Sequence, residues 1–322
     1  MSNQIGSNIA VVGAGAIGSY FGGMLARAGR NVTLIGRQHH VDAINHDGLL
    51  FQSHGVEERI AIAATTDIAA VSDARLILFC VKSLDSEDAA AKMAPHLARD
   101  AVILSLQNGV DNPERIRLHV KNQVIPVLVY AAANIPAPGS VVHTGGGNLV
   151  IGQTGEFRSG DDAGRRLLDD IAALFTAAGV PVRISHDIDA DLWTKLVMNC
   201  AYNAISALSG ARYGQMVAMP EVRGVMVDAV KEVMQVARAK GVRLPDDTVE
   251  SAMKLADAMP QTTSSTAQDL AKGRKTEIDH LNGYIVRQGE ALGIPTPVNQ
   301  ALSALMKLVE QTKPPALESH RP

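Results

Sequence analysis

The feature that most constrains the fold of this chain is a glycine-rich segment directly after a short apolar run. Ile9-Ala10-Val11-Val12 has the length and β-branched character of a buried strand, and the next six residues contain three glycines. The pattern from Ile17 to Ala28 predicts a helix packed on a sheet, and Val32-Thr33-Leu34-Ile35 predicts a second strand. Between a strand and a helix, Gly-x-Gly-x-x-Gly favours dinucleotide binding over an ordinary turn.

Each glycine of this segment has its own predicted task. Gly13 makes the tight turn out of the strand, Gly15 lets the backbone approach a pyrophosphate, and Gly18 lets the helix pack closely. The positive end of the helix then faces the phosphates. We therefore expect the cofactor to be bound by Gly13, Ala14, Gly15, Ala16, Ile17 and Gly18.

The end of the second strand indicates which dinucleotide is bound. An NAD enzyme usually has an acidic residue about 20 residues beyond the glycines, whereas this chain has Gly36-Arg37. A guanidinium suits a 2′-phosphate, so Arg37 favours NADP, and Lys82 after a later strand adds a second positive charge. Alternatively, Arg37 is a solvated surface arginine and Lys82 an ordinary lysine at the end of a strand, with no role in cofactor binding.

Apolar runs of strand length alternate with helical patterns over the first half of the chain. This alternation predicts an α/β, Rossmann-type domain over residues 1–186 with a parallel sheet buried on both faces. Segments 140–144 and 148–152, joined by Gly145-Gly146-Gly147, are interpreted as a hairpin that finishes the sheet. Residues 187–322 show helical periodicity and predict an all-helical second domain, with a frayed tail from Lys313 onward.

Composition excludes several classes of protein. The chain has 322 residues, a formal net charge of −3 and no basic stripe, so we expect no nucleic-acid partner. Its two cysteines, Cys80 and Cys200, are too few for a disulfide framework or a multi-cysteine metal site, and we expect buried thiols and no metal. We see no signal peptide or membrane segment and expect a cytoplasmic protein. A homodimer is left open, because no heptad seam indicates one.

The candidate catalytic residues lie in the predicted helical domain. Lys195, Asn199 and Asn203 are spaced i, i+4, i+8, which places a lysine and two amides along one helix face. That combination suits a cleft that binds a small anion and donates a proton. The alternative is an exposed Asp191–Lys195 ion pair, which would be weak.

Three further polar segments are open to two interpretations each. The hydroxyls of Thr262-Thr263-Ser264-Ser265 precede a helix and are suited to capping it. Glu277 either faces solvent or reaches the lysine. Gln107-Asn108-Gly109 follows a strand at the edge where open α/β sheets bind ligands, but Asn-Gly is also a common turn pair.

Taken together, these motifs resemble the ketopantoate reductase (2-dehydropantoate 2-reductase) family over nearly the whole chain. The resemblance implies that Lys195 is the general acid, that Glu277 positions it and binds substrate, and that Asn108 lies between nicotinamide and substrate. It also implies that the hydroxy-acid is held by Asn199, Asn203 and Ser265, and that the cofactor phosphate is bound by Arg37 and Lys82. The supporting motifs are Gly13–Gly18, Val81-Lys82, Gln107-Asn108-Gly109, Lys195-x-x-x-Asn199-x-x-x-Asn203, Ser264-Ser265, Thr276-Glu277-Ile278-Asp279-x-x-Asn282-Gly283 and 293–299.

One segment departs from the family pattern. Members often have a further substrate-binding asparagine beyond the position of Asn203, where this chain has Ser209-Gly210-Ala211-Arg212-Tyr213. The expected reaction is NADPH-dependent reduction of 2-dehydropantoate to (R)-pantoate, in pantothenate biosynthesis. One alternative is an NADP-dependent reductase of another small 2-keto acid, and another is a non-catalytic NADP sensor. A β-hydroxyacid dehydrogenase is a third, although Asn203 and segment 276–279 fit that class poorly.

Overall fold

A computed structural model describes residues 5–154 and 162–312, so the tail predicted from Lys313 onward lies outside the described residues. Contacts divide the chain into two compact units, Met1–Ile188 and Asp189–Pro322. The sequence had suggested a boundary after residue 186. Among the described residues, no helix has both the length and the hydropathy to cross a membrane.

The first unit is built on one mixed sheet, flanked by helices. Its strands run in the order β4-β3-β9-β8-β7-β6-β1-β2-β5, and β10 pairs with β9. They are β1 (Asn8–Val12), β2 (Asn31–Ile35), β3 (Leu49–Ser53), β4 (Val56–Ile60), β5 (Ala63–Thr65), β6 (Leu76–Phe79), β7 (Val102–Ser105), β8 (Gln123–Asn134), β9 (Ser140–Ile151) and β10 (Val182–Ile184). The helices are α1 (Ala16–Arg27), α2 (Gln38–Asp47), α3 (Ser86–Met93), α4 (Asn112–Arg117) and α5 (Asp162–Ala177).

The parallel part of the sheet confirms the predicted Rossmann-type fold. Strands β5, β2, β1, β6, β7 and β8 are parallel neighbours, and every residue of β6 and β7 is buried. This explains their continuous apolar sequences, since helices cover both faces. β2 and β6 flank β1 on opposite sides, so the strand order reverses beside β1. Open α/β sheets bind ligands at the carboxyl edge of such a switch point.

The hairpin predicted for residues 140–152 is wrong. Ser140–Ile151 forms a single strand, antiparallel to β8, with register shifts beside Ala131 and Ala133. Gly146 and Gly147 lie inside this strand with φ of +71° and +117°. The glycines therefore accommodate irregular pairing within a long strand rather than a chain reversal.

Helices are the regular secondary structure of the second unit, over its described residues. It comprises most of α6 (Ile188–Ser209), followed by α7 (Tyr213–Ala218), α8 (Pro220–Ala239), α9 (Thr248–Ala258), α10 (Ser265–Ala271), α11 (Asn282–Leu292) and α12 (Pro297–Thr312). Tyr202 of α6 is completely buried, and its hydroxyl donates to the carbonyl of Ala252 at 2.8 Å. The central part of α6 is mostly buried, which explains the apolar residues that surround Lys195, Asn199 and Asn203 there.

Candidate active site

The glycine-rich turn is held at the carboxyl ends of β1 and β2. The amides of Gly13 and Ala14 both donate to the carbonyl of Ile35, at 3.0 and 2.9 Å. Gly13 has φ of +100°, and a Cβ there would lie 2.6 Å from the backbone nitrogen of Val81. A side chain at this position would be both strained and sterically blocked.

The other two glycines of the turn differ in their surroundings. A Cβ on Gly18 would meet the carbonyl of Gly13 and lie 2.9 Å from Cγ1 of Val11, which explains the close packing of α1. A Cβ on Gly15, by contrast, would have no atom within 4 Å. Gly15 is exposed and immediately precedes the amino end of α1. The turn therefore leaves open space at a helix N-terminus, where a phosphate binds favourably.

Arg37 follows Gly36 at the carboxyl end of β2. It is the N-cap residue of α2 and is exposed. A Cβ on Gly36 would lie 2.7 Å from the Cβ of Ala14, so the start of this connection touches the glycine-rich turn. The structure thus brings Arg37 to the same sheet edge as the turn.

His40 anchors this region and was not singled out from the sequence. Its ring is buried, Nδ1 accepts from the amide of Gly139 at 3.0 Å, and Nε2 lies 3.2 Å from the Ser19 hydroxyl. Since Nδ1 accepts, the proton of the neutral ring is on Nε2. Burial lowers the pKa of His40, and His39 lowers it further. A histidine on a short polar helix carried no sequence signal for this role.

Lys82 and Asn108 follow the next two strands at the same edge. Val12, Phe79 and Ser105 end β1, β6 and β7 in register with their neighbours. Lys82, three residues beyond β6, is exposed, and Asn108, three beyond β7, is half-buried. Gly109 has φ of +91°, and the chain bends at the Asn-Gly pair.

Helix α6 holds Lys195 in a half-buried position. Burial lowers the pKa of the Lys195 ammonium to about 8, while the Glu277 carboxylate acts in the opposite direction. Lys195 and Asp191 are both half-buried rather than exposed. Asn203 is buried and Asn199 half-buried on the same helix. A lysine with a pKa near neutrality can transfer a proton efficiently.

Glu277 and Ser265 come from segments packed around this helix. Glu277 is buried rather than solvent-facing, and its carboxylate raises the pKa of Lys195. Ser264 caps α10, since its hydroxyl accepts from the amide of Ala267 at 3.0 Å. The same hydroxyl donates to the carbonyl of Asn203 at 3.0 Å, and Ser265, the next residue, is exposed. Capping is therefore confirmed for Ser264. Its hydroxyl also holds segment 262–265 beside Asn203.

A buried polar cluster ties the Glu277 segment to α6. Asn282 donates through Nδ2 to the carbonyl of Cys200 at 3.1 Å and to Oδ1 of Asn299 at 2.9 Å. Glu232 accepts from the amides of Val298 and Asn299 at 2.8 and 2.9 Å, at the start of α12. Glu232 was missed, although a carboxylate on the apolar face of α8 is an unusual choice that could have drawn attention to it.

The segment that departs from the family pattern is attached to the same region. The Ser206 hydroxyl donates to the carbonyl of Ala211 at 2.9 Å and accepts from the amide of Ser264 at 3.2 Å. The amide of Tyr213 donates to the carbonyl of Thr262 at 3.0 Å. Hydroxyls and backbone groups thus hold the two segments together without the expected asparagine.

The first unit has a dinucleotide-type turn on a Rossmann-type sheet, and the second has a half-buried lysine coupled to a buried carboxylate. These features define the class of NAD(P)-dependent dehydrogenases. Models of the family described as Ketopantoate reductase PanE/ApbA match residues 9–156, and its C-terminal model matches 187–310. The 2-dehydropantoate 2-reductase of Halobacterium salinarum is 33% identical over 307 residues, which are 94% of this chain and 99% of that protein. The chain belongs to the ketopantoate reductase family.

Solved structures agree with this assignment. A PanE/ApbA family ketopantoate reductase from Ralstonia eutropha is 48% identical, with a TM-score of 0.88 over 94% of this chain and 98% of that one. A D-mandelate dehydrogenase, solved with NADH and anilino(oxo)acetate, is 25% identical, with a TM-score of 0.85 over 94% and 98%. The same two-unit architecture therefore occurs in enzymes named for different substrates.

Proposed function

We propose that this protein reduces 2-dehydropantoate to (R)-pantoate with NADPH. The observation that carries the proposal is the half-buried Lys195. Its pKa is about 8, because desolvation lowers it and the Glu277 carboxylate offsets part of that fall. A proton donor with a pKa near the working pH is what reduction of a ketone requires. Relatives about one-third identical over nearly the whole chain are named for this substrate.

The residues at the glycine-rich turn fit a dinucleotide. Gly15 leaves space at the N-terminus of α1, and Gly13 allows a turn that no side chain could make. Arg37 is proposed to bind the 2′-phosphate and Lys82 to add positive charge, because guanidinium and ammonium groups both pair with phosphate. When bound, NADPH supplies the hydride that adds to C2 of the keto acid.

The residues of the second unit are proposed to handle the proton and hold the substrate. Lys195 donates its proton to the C2 oxygen as that oxygen gains negative charge, so the ketone becomes a secondary alcohol. Glu277 keeps enough of the lysine protonated against the effect of burial. The carboxylate and hydroxyl groups of the substrate are hydrogen-bonded by Asn199, Asn203 and Ser265, and Asn108 contacts both nicotinamide and substrate.

A second candidate is an NADP-dependent reductase of a different small 2-keto acid. Two observations favour it: segment 209–213 lacks the further asparagine, and D-mandelate dehydrogenase shares the architecture at 25% identity. A non-catalytic sensor would not need a lysine held at a pKa of about 8.

The test is a comparison of NADPH oxidation with 2-dehydropantoate, 2-oxoisovalerate and phenylglyoxylate. We expect the highest kcat/KM with 2-dehydropantoate. A clear preference for another acid would replace the substrate and keep the reaction class. NADPH binding without turnover on any acid would support the sensor.

A further inference from the structure

Asn112 lies at the centre of a buried hydrogen-bond network beside Asn108. It is the first residue of α4, is 1% exposed, and uses its whole carboxamide. Nδ2 donates to the carbonyl of Asn108 at 2.6 Å and to the Ser83 hydroxyl at 3.0 Å. Oδ1 accepts from the Ser86 hydroxyl at 2.8 Å and from Nη1 of Arg115 at 3.3 Å.

Gln107 completes the network from the other side. Its Nε2 donates to the carbonyl of Val81 at 2.9 Å and to the Ser86 hydroxyl at 2.6 Å, while Oε1 accepts from the Ser105 hydroxyl at 3.2 Å. Ser86 therefore accepts from Gln107 and donates to Asn112, which links the two amides. Buried networks in which every member is satisfied are rigid.

These bonds connect two loops at the carboxyl edge of the sheet. One loop, residues 80–86, follows β6 and contains Lys82. The other, residues 106–111, follows β7 and contains Asn108. The backbone carbonyl of Asn108 is fixed twice, by Asn112 and by the Ser83 hydroxyl at 3.2 Å. The backbone of Val81 is fixed by Gln107, and a Cβ on Gly13 would collide with that same backbone.

We infer that Asn112 and Gln107 are positioning residues, which lock the loops carrying Lys82 and Asn108 into one unit so that both side chains meet the cofactor in a set geometry. The inference rests on the proposed function for the roles of Lys82 and Asn108. Asn112 acts through the backbone of Asn108, and Gln107 acts through the backbone of Val81. Small displacements of such groups reduce turnover strongly, on the order of 10²-fold for about 1 Å.

Asn112→Asp tests the role with little change in shape. The carboxylate keeps the acceptor for Ser86 and gains an ion pair with the Arg115 guanidinium, which supports folding. It loses both donors, so an oxygen faces the carbonyl of Asn108. Asn122→Asp is the matched control, because Asn122 also donates to two backbone carbonyls, Ala98 and Ala101, each at 2.9 Å. Those bonds lie at the opposite, amino edge of the same sheet.

The readouts are the Kd for NADPH from a fluorescence titration and, separately, kcat and KM. For Asn112→Asp we expect an NADPH Kd raised about fivefold, as for one lost hydrogen bond, and a kcat lowered by about 10–100-fold at saturating NADPH. Asn122→Asp should stay within about twofold on both. Unchanged Kd and kcat in Asn112→Asp, or equal losses in the control, would overturn the inference.

A second variant and the wild-type protein provide two further comparisons. If Asn112→Asp does not fold, Ser86→Ala removes only the hydroxyl between the two amides and should raise the Kd about fivefold; no change in that variant would then overturn the inference. If wild-type protein binds NADPH but reduces no 2-keto acid, the proposed function fails while the binding comparison still decides the positioning role.

Discussion

The carboxylate of Glu277 and burial of the helix act in opposite directions on the ammonium of Lys195. Burial dominates and brings the pKa of the lysine down to about 8, and Glu277 limits the fall. Glu277 is itself 8% exposed, so water screens this interaction only weakly. With a pKa of about 8, Lys195 is mostly protonated at neutral pH and can still donate its proton. Its titration should therefore be visible in the pH dependence of the reaction rate.

We therefore expect kcat for keto-acid reduction to be highest below a pH of about 8 and to fall above it. The sign follows from the role of Lys195, because a general acid must be protonated to act. In Glu277→Gln the opposing charge is removed, so the pKa of Lys195 falls further and the alkaline limb of the pH profile moves to lower pH. Steady-state rates at saturating NADPH across the pH range measure this shift.

Glu290→Gln is the control, since Glu290 is an exposed carboxylate of the same unit. Its profile should coincide with that of the wild type. An alkaline limb that stays in place in Glu277→Gln would contradict the electrostatic coupling.

Replacement of Lys195 by alanine should lower kcat by roughly 10²–10⁴-fold, the usual contribution of a general acid. The melting temperature should also fall, because the buried Glu277 carboxylate loses its opposite charge in this variant, so kcat is compared at a temperature at which both proteins are folded. Lys240→Ala, which changes an exposed lysine bound to Gln288, serves as the comparison and should retain full turnover. Near-wild-type turnover by Lys195→Ala would remove the assigned role.

Replacement of Arg37 by alanine should raise the KM for NADPH much more than the KM for NADH. Only NADPH has the 2′-phosphate that a guanidinium would bind. Arg30→Ala is a matched control, since Arg30 is an exposed arginine that precedes β2 whereas Arg37 follows it. Equal effects of Arg37→Ala on both cofactors would mean that Arg37 does not read the phosphate.

The stability of the protein should decline as the pH falls below about 6.5, in part because of His40. Its folded-state pKa is lowered by burial, so below the ordinary value of 6.5 the unfolded chain binds more protons. The stabilisation is complete above the unfolded-state pKa and is lost as the pH falls towards the folded-state value. Urea unfolding at pH 7.5 and 5.5 should show a smaller difference in His40→Gln than in wild type.

His96→Gln provides the comparison for that experiment, because His96 is exposed. It should leave the difference between the two pH values unchanged. An unaltered difference in His40→Gln would show that another group causes the acid sensitivity.

The order of secondary structure in the first unit could be predicted wherever one pattern dominated. The run Ile9–Val12, the glycines after it and the run Val32–Ile35 predicted β1, the turn and β2 because each depends on neighbouring residues. Strands β3, β4 and β5 were missed. β4 is polar and mostly exposed, and β5 has only three residues. The hairpin at 140–152 was wrong because glycines serve turns and bulges equally well.

By itself, the sequence determined the fold class, the family and the candidate residues, because apolar periodicity, glycine spacing and the i, i+4, i+8 stripe are local patterns. Only the tertiary structure decided that Glu277 acts on Lys195, that His40 joins α1 to the segment before β9, and that Asn112 holds Asn108. The physical reason is that burial and hydrogen bonding between distant segments arise from packing. Spacing along the chain describes a helix face, but the groups opposite that face come from elsewhere.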